Sequence, residues 1–218
     1  MTRPQDPRAT PTARAILTEP AHNARTDKGT SVADDLLTRK IARGFDQLDA
    51  DGDGRLTEHD HVLMGRRSAR ALGHEEGSAA EDSVVDAYVG IWRDLHQPFA
   101  GGADAIDRDD FIASTRSLAD DPDAASATLG RLAEAFLAIA DTDGNGVVDP
   151  DEFYAFQIGH FPTLDRATAD SAFARLDRDS NGTLSREEFT TAIVEYWTSR
   201  DPEAPGNWWT GVHPLDAQ

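Results

Sequence analysis

A twelve-residue pattern of oxygen-bearing side chains occurs three times in this chain and limits its possible folds more than any other feature. Positions 1, 3, 5, 9 and 12 carry Asp, Asn, Ser, Thr or Glu, position 6 is always glycine, and position 8 is always apolar. The copies are DADGDGRLTEHD at 49–60, DTDGNGVVDPDE at 141–152 and DRDSNGTLSREE at 177–188. A chance run of acidic residues would not repeat the glycine and the apolar residue in all three. The pattern therefore predicts three loops that fold around a hard cation.

This spacing is that of the EF-hand calcium loop. Alternate side chains supply oxygens, glycine permits the sharp turn, residue 7 offers its backbone carbonyl, and glutamate at position 12 can offer both carboxylate oxygens. We number the copies loop 1, loop 3 and loop 4. The candidate metal ligands are Asp49, Asp51, Asp53, Arg55, Thr57 and Asp60 in loop 1; Asp141, Asp143, Asn145, Val147, Asp149 and Glu152 in loop 3; and Asp177, Asp179, Asn181, Thr183, Ser185 and Glu188 in loop 4.

Loop 1 departs from the pattern at its last ligand, because Asp60 stands where the other two loops have glutamate. Aspartate is one methylene shorter, so binding an ion through both oxygens is harder, and a single oxygen suits the octahedral shell of Mg²⁺. We expect loop 1 to bind Ca²⁺ more weakly and to tolerate Mg²⁺.

EF-hands normally occur in pairs, so three loops predict a fourth, altered copy. The stretch FAGGADAIDRDD at 99–110 has an apolar residue, Ile106, at position 8 and is followed by a phenylalanine, as are loops 3 and 4. Its positions 1, 3 and 5 are Phe99, Gly101 and Ala103, which offer no side-chain oxygen. This loop 2 should bind no calcium and should serve only as a structural partner.

The segments around the loops predict an all-α fold of four helix-loop-helix units. Apolar residues lie eight and four places before each loop, on one helix face. These are Ile41 and Phe45, Ile91 and Leu95, Ala133 and Leu137, and Ala169 and Phe173. We expect short two-strand contacts at position 8, pairing Leu56 with Ile106 and Val148 with Leu184. The predicted organisation is a flexible leader at 1–30, hand pairs at 31–120 and 121–199, and a tail at 200–218 that packs on a lobe.

Composition excludes several classes of function. A net charge of −19, from 40 acidic and 21 basic residues, disfavours nucleic acid and anionic membranes as partners. The chain has no cysteine, which excludes disulfides and thiol chemistry and fits a cytoplasmic location. The first thirty residues contain no apolar run typical of a signal peptide or membrane span, although residues 15–17 could form a short docking element.

No catalytic set is present, so we expect the protein not to be an enzyme. The sequence lacks a Gly-rich phosphate loop and the G-x-S-x-G and H-E-x-x-H patterns. His59 and His61, two apart on a helix, should point in different directions and not share a zinc ion. Four of the five remaining histidines are interpreted as isolated residues without a function: His74, His96, His160 and His213.

Three intact hands with an altered second hand resemble the calerythrin and sarcoplasmic calcium-binding protein family. The tail sequence at 205–209, PGNWW, is similar to the ending of bacterial members of that family. The resemblance covers about residues 31–212. It implies a compact protein of two facing lobes that acts as an intracellular calcium buffer or transport protein, and we expect it to be a monomer.

Buffer and sensor roles can be distinguished in part by residue type. Besides Met1 the chain has only Met64, so it lacks the adaptable methionine surface of general target-binding sensors. The tail residues Trp208 and Trp209 should pack back and occupy a cleft that a target helix would otherwise use. Large aromatic residues are expected to close the core: Trp92, Phe99, Phe136, Phe161 and Trp197. The alternatives are a calcium-dependent regulator with one specific protein partner and a scaffold with permanently filled sites.

Overall fold

The computed structural model describes residues 32–216, with side chains from Leu36 onward. Within this range the predicted all-α fold is confirmed. The eight helices are α1 (Val32–Leu48), α2 (Glu58–Ala71), α3 (Ala79–Ile91), α4 (Arg108–Leu118), α5 (Pro122–Ala140), α6 (Pro150–His160), α7 (Arg166–Leu176) and α8 (Arg186–Thr198). The predicted leader and its docking element at 15–17 lie outside the described residues. None of the described helices combines the length and apolar character that a membrane span requires.

Four two-residue strands join the loops in pairs. They are β1 (Arg55–Leu56), β2 (Ile106–Asp107), β3 (Val147–Val148) and β4 (Leu184–Ser185). The antiparallel register places Leu56 opposite Ile106 and Val148 opposite Leu184, which confirms the predicted contacts at position 8. All four side chains are buried, so each contact lies on the core and not on the surface.

The helices that leave loops 1, 3 and 4 begin at the same loop position because residues 9 and 12 cap them. Thr57, Asp149 and Ser185 are the N-caps of α2, α6 and α8, and in each case the residue three places later bonds back to the cap's backbone amide. This reciprocal arrangement is a capping box. The residues proposed as ligands therefore also fix the direction of the outgoing helix.

Both hand pairs share one continuous hydrophobic core. The helices of the two pairs approach each other closely at two glycines. A Cβ on Gly159 of α6 would lie 2.7 Å from Ser68 Oγ of α2, and one on Gly44 of α1 would overlap the Trp197 ring of α8. Glycine is therefore required sterically at both crossings between the pairs.

Phe99 does not belong to the core, so the expectation for this aromatic residue is wrong. Its side chain is 51% exposed, whereas Trp92, Phe136 and Trp197 are buried. The cause is a change of helix type, because α3 ends at Ile91 and continues as a π-helical turn (Trp92–His96) and a 3-10 turn (Gln97–Ala100). Phe99 lines a small apolar cavity of about 50 Å³ instead. Phe161 is only partly buried.

His96 is not isolated, which corrects the interpretation of the histidines. Its Nδ1 lies 2.9 Å from Nε2 of His61, and Nδ1 of His61 lies 2.8 Å from the Thr57 carbonyl oxygen. Because that oxygen can only accept, Nδ1 of a neutral His61 carries the hydrogen and its Nε2 accepts from His96. Burial lowers the pKa of both imidazoles, and for His96 the lowering is strong. This neutral pair joins α2 to the segment before loop 2.

Another histidine, His160, connects the two hand pairs. Nε2 of His160 lies 2.9 Å from the Tyr88 hydroxyl, which in turn lies 2.9 Å from Oγ of Ser68. Burial lowers the pKa of His160 to about 4, so the ring is neutral at physiological pH. The chain Ser68–Tyr88–His160 therefore satisfies buried polar groups of α2, α3 and α6 within the shared core.

Candidate metal centres

Loops 1, 3 and 4 adopt the same backbone conformation around the carboxylate of residue 1. The Gly54, Gly146 and Gly182 amides at position 6 each donate to this carboxylate at 2.9 Å. These glycines have φ of 85°, 89° and 88°, a left-handed conformation that a Cβ would disfavour. Position 4 is also left-handed, and loop 4 places Ser180 there with φ of 57° instead of a glycine.

Residue 12 closes each loop with both carboxylate oxygens. In loop 4, Oε1 of Glu188 accepts from the Arg178 amide at 2.8 Å and Oε2 accepts from the Ser185 amide at 2.9 Å. Glu152 accepts from the corresponding amides of loop 3 at 2.8 and 3.0 Å. Asp60 does the same in loop 1 at 3.0 and 2.8 Å, despite its shorter side chain.

The carboxylates come together differently in the complete loops and in loop 1. In loops 3 and 4, residues 1, 3 and 12 bring their oxygens within 4.8 Å of one another. In loop 1 the group within this distance consists of Asp49, Asp51 and Asp53, at positions 1, 3 and 5. Asp60 is buried at 1% exposure but lies outside that group. The shorter side chain of Asp60 thus leaves its carboxylate outside the group that its glutamate counterparts join in loops 3 and 4.

The remaining predicted ligands are residues 5, 7 and 9 of each loop. Oδ1 of residue 5 accepts from the residue 7 amide in all three loops, with Asp53, Asn145 and Asn181 as the acceptors. Because the residue 7 amide is already hydrogen-bonded, the carbonyl of residue 7 is the backbone group that remains available to bind an ion. The predicted residue 9 ligands are the caps Thr57, Asp149 and Ser185, so their side-chain oxygens also bond the outgoing helix.

The donors suit a hard cation such as Ca²⁺ or Mg²⁺. All are carboxylate, amide, hydroxyl or carbonyl oxygens, and the groups contain no imidazole or thiolate that would favour zinc. Burial alone raises the pKa of Glu188, but hydrogen bonds from Ser185, Arg178 and Asp179 outweigh this effect and lower the pKa below its ordinary value. Glu188 is therefore ionised at neutral pH.

Loop 2 has a different internal structure. Its Gly101 and Gly102 have φ of 59° and 91°, and Asp107 caps α4 by accepting from the Asp110 amide at 3.2 Å. None of its residues belongs to a carboxylate group that could hold an ion within the part of the chain that the structure describes.

The tail lies on the C-terminal hand pair. The Trp209 ring is buried among Phe153, Phe156 and Phe189, at centroid distances of 6.0, 6.0 and 5.1 Å. Its carbonyl accepts from Nε2 of Gln157 at 2.8 Å. The aromatic residues after Glu152 and Glu188 therefore contact the same tail side chain.

Lys40 has a structural role that we did not predict from the sequence. Its side chain is fully buried, and Nζ donates to the carbonyls of Glu195 and Ser199 at 3.0 and 2.7 Å and to Oδ1 of Asn207 at 2.9 Å. Burial lowers its pKa to about 7, although nearby Glu195 opposes this shift. Lys40 therefore ties α1 to the end of α8 and to the tail. A lone lysine on a helix gives no sequence signal for such a role.

A family model described as EF hand matches residues 41–60, 133–157 and 169–194, which contain loops 1, 3 and 4 but not loop 2. The chain is 28% identical over 176 residues to calerythrin from Saccharopolyspora erythraea, covering 78% of this chain and 95% of that protein. It is 32% identical over 124 residues to a sarcoplasmic calcium-binding protein from Hediste diversicolor, covering 56% of this chain and 68% of that protein.

The fold is similar to that of a coelenterazine-binding protein from Renilla muelleri, solved in its calcium-loaded apo form. The TM-score is 0.68 at 23% identity, covering 82% of this chain and 96% of that one. At this level of identity the comparison shows a likeness of fold alone.

Proposed function

The chain belongs to the EF-hand family of calerythrin and the sarcoplasmic calcium-binding proteins, and from this premise we propose that it is an intracellular calcium buffer with three ion-binding loops. The observation that carries the proposal is the convergence of three carboxylates within 4.8 Å in each of loops 1, 3 and 4. In the unliganded state these like charges repel one another. Binding a divalent cation relieves that repulsion and stabilises the fold.

We assign the ligands of each site to the residues predicted from the sequence. In loops 3 and 4 the bidentate ligands are Glu152 and Glu188, and the carbonyls of Val147 and Thr183 complete the shells. In loop 1 the corresponding residues are Asp60 and the carbonyl of Arg55, and we assign this site a weaker preference for Ca²⁺ over Mg²⁺. The exclusion of Asp60 from the carboxylate group of loop 1 supports that assignment.

A buffer role is favoured over a sensor role by what covers the C-terminal pair. A sensor exposes an apolar groove when calcium binds. Here Trp209 already packs on Phe153 and Phe189, and Met64 is fully buried in the core. The surface that would receive a target helix is therefore occupied by the chain itself. No observation favours the regulator with a specific protein partner.

The remaining parts of the proposal follow from composition and family. We assign the protein no enzymatic activity, a cytoplasmic location and a monomeric state, with calcium ions as its ligand and neither nucleic acid nor membrane as a partner. We treat 31–120 and 121–199 as the two hand pairs and 200–218 as the tail. The net charge of −19 supports the exclusion of polyanionic partners.

Calorimetric titration of the full chain with Ca²⁺, with and without Mg²⁺, tests the proposal. We expect three bound ions per chain, with the weakest site the most sensitive to Mg²⁺. Replacing residue 1 of a single loop, as in Asp49→Asn, Asp141→Asn or Asp177→Asn, should remove one site each. The matched control is Asp110→Asn, which changes an aspartate of loop 2 and should leave all three sites intact.

A hydrophobic dye distinguishes the buffer from the sensor in the same samples. The buffer predicts that dye fluorescence stays constant or falls as calcium is added. A large rise in dye fluorescence at saturating Ca²⁺ would contradict the buffer role and support the sensor role. Folded protein that binds no ion at micromolar free Ca²⁺ would overturn both.

A further inference from the structure

We propose that the tail is part of the calcium-binding apparatus of the C-terminal hand pair, and that Glu195 is a positioning residue that joins the tail to loop 4. Docking of residues 205–209 then raises the calcium affinity of loops 3 and 4, and calcium in turn holds the tail in place. This inference rests on the proposed function, because it concerns the regulation of the same sites.

The first step is the bridge that Glu195 makes from α8. Its Oε1 accepts from the guanidinium of Arg178 at 2.6 Å, and its Oε2 accepts from the Gly206 amide at 2.9 Å. Arg178 is residue 2 of loop 4, and its own amide donates to Glu188 at 2.8 Å. One carboxylate therefore separates the tail backbone from the residue that orients the bidentate ligand.

The second step is the position of Trp209 on the outgoing helices. Its ring packs edge-to-face on Phe153 and Phe189, which directly follow Glu152 and Glu188. These phenylalanines belong to α6 and α8, so one indole fixes the relative position of the two helices that carry the residue 12 ligands. Each glutamate can bind the ion of its own loop through both oxygens only when its helix end is correctly placed. The docked tail thus preorganises both sites.

The third step is that the tail docks at one sterically defined position. A Cβ on Gly206 would lie 2.5 Å from Cβ of Glu195 and 2.6 Å from the Ala192 carbonyl oxygen, which leaves no room for a side chain. Asn207 is fully buried and accepts from Lys40 through Oδ1 at 2.9 Å. The tail therefore has one well-defined docked state, which is what coupling to a second equilibrium requires.

Thermodynamic linkage makes the effect reciprocal. If tail docking strengthens calcium binding by some factor, calcium must strengthen tail docking by the same factor. A tail that merely covers apolar surface would stabilise the fold without changing affinity in loops 3 and 4. The two cases therefore differ in a measurable quantity.

The experiment uses the full chain with two substitutions. Gly206→Ala adds a Cβ at the docking position of the tail, and Glu195→Gln replaces one acceptor oxygen by an amide donor. Calcium titration should show affinity in loops 3 and 4 weakened by at least about fivefold, the lower end of typical coupling. Affinity in loop 1 should not change. The matched control is Gly130→Ala, because a Cβ at that helical glycine meets nothing within 4 Å.

Hydrogen exchange provides a second readout that does not depend on titration. The amides of residues 203–213 should be more protected with calcium than without it, and by less in Glu195→Gln. Circular dichroism confirms that each variant is folded before its affinity is interpreted.

A double-mutant cycle of Arg178→Ala and Gly206→Ala tests whether the effect passes through Glu195. The two effects on affinity should be less than additive if both act through that carboxylate. Additive effects, or unchanged affinity in loops 3 and 4 with three ions still bound, would overturn the inference and leave the buffer intact. Wild-type protein that binds no calcium would instead refute the proposed function itself.

Discussion

The two hand pairs use the same strand contact but differ in how many loops can hold an ion. In the C-terminal pair both loops bring residues 1, 3 and 12 together, whereas in the N-terminal pair loop 1 ends in Asp60 and loop 2 has no comparable group among the described residues. Yet Leu56 pairs with Ile106 in the same register as Val148 with Leu184. The contact between loops therefore depends on buried apolar residues and backbone hydrogen bonds, not on two intact metal sites.

The incoming helices differ more between intact and altered loops than the strand contacts do. Helices α1, α5 and α7 end directly before residue 1 of their loops, at Leu48, Ala140 and Leu176. Helix α3 ends at Ile91, and the chain reaches loop 2 through π-helical and 3-10 turns. A loop without ligands at its beginning does not need a regular helix to present them. Loop 2 thus retains its second half, which forms the strand contact, but not the side-chain ligands of its first half.

The largest expected effect comes from breaking the strand contact in each pair. Ile106→Ala and Leu184→Ala remove buried residues at position 8, and each should cost about 2–5 kcal/mol of unfolding free energy. Because only one loop of the N-terminal pair binds an ion, added calcium should increase the Leu184 penalty more than the Ile106 penalty. Urea unfolding with and without calcium measures both. A loss below about 1 kcal/mol at Ile106 would show that the N-terminal contact is dispensable.

Glu188→Gln should sharpen the contrast by disabling one complete loop. The amide keeps the shape of the side chain but replaces one of two carboxylate oxygens, so affinity in loop 4 should fall at least tenfold, or about 1.4 kcal/mol. Loop 3 should weaken as well, because β3 and β4 couple the two loops. Calorimetry measures both sites. If loop 3 affinity is unchanged, the loops bind independently.

Asp60→Glu should make the N-terminal pair more like the C-terminal pair. The added methylene should allow both oxygens to reach an ion together with positions 1 and 3, as we propose for Glu152 and Glu188. Ca²⁺ affinity in loop 1 should therefore rise severalfold, and Mg²⁺ should compete less. A calcium titration in the presence of magnesium gives the selectivity, and Asp110→Glu in loop 2 is the control. Unchanged selectivity would mean that residue 12 does not determine it.

The smallest effect is expected at position 4, where loop 4 alone has a residue other than glycine. Ser180→Gly should relieve left-handed backbone strain and raise the unfolding free energy by about 0.5–1 kcal/mol. Gly144→Ser introduces the same feature into loop 3 and should have the opposite sign. Thermal unfolding of the two variants in parallel measures the difference. Equal signs would exclude backbone strain as the cause.

Sequence reasoning predicted what depends on fixed spacing. The loops, the helices around them and the strand register all follow from residues at constant offsets, as the pairing of Ile106 with Leu56 illustrates. It failed where three-dimensional neighbours decide. The exposure of Phe99 follows from a change of helix type that single-sequence periodicity does not reveal. The His61–His96 pair joins residues 35 positions apart, and no local pattern predicts that distance.

The buried ammonium of Lys40 has a consequence for how the protein is made. Its three acceptors lie 155, 159 and 167 positions further along the chain. During translation, α1 leaves the ribosome long before any of these acceptors has been synthesised. Contacts between distant parts of a chain also form late in folding, because closing a long loop costs entropy. The interior around Lys40 is therefore completed only after Asn207 has emerged, and until then water must solvate the Lys40 ammonium.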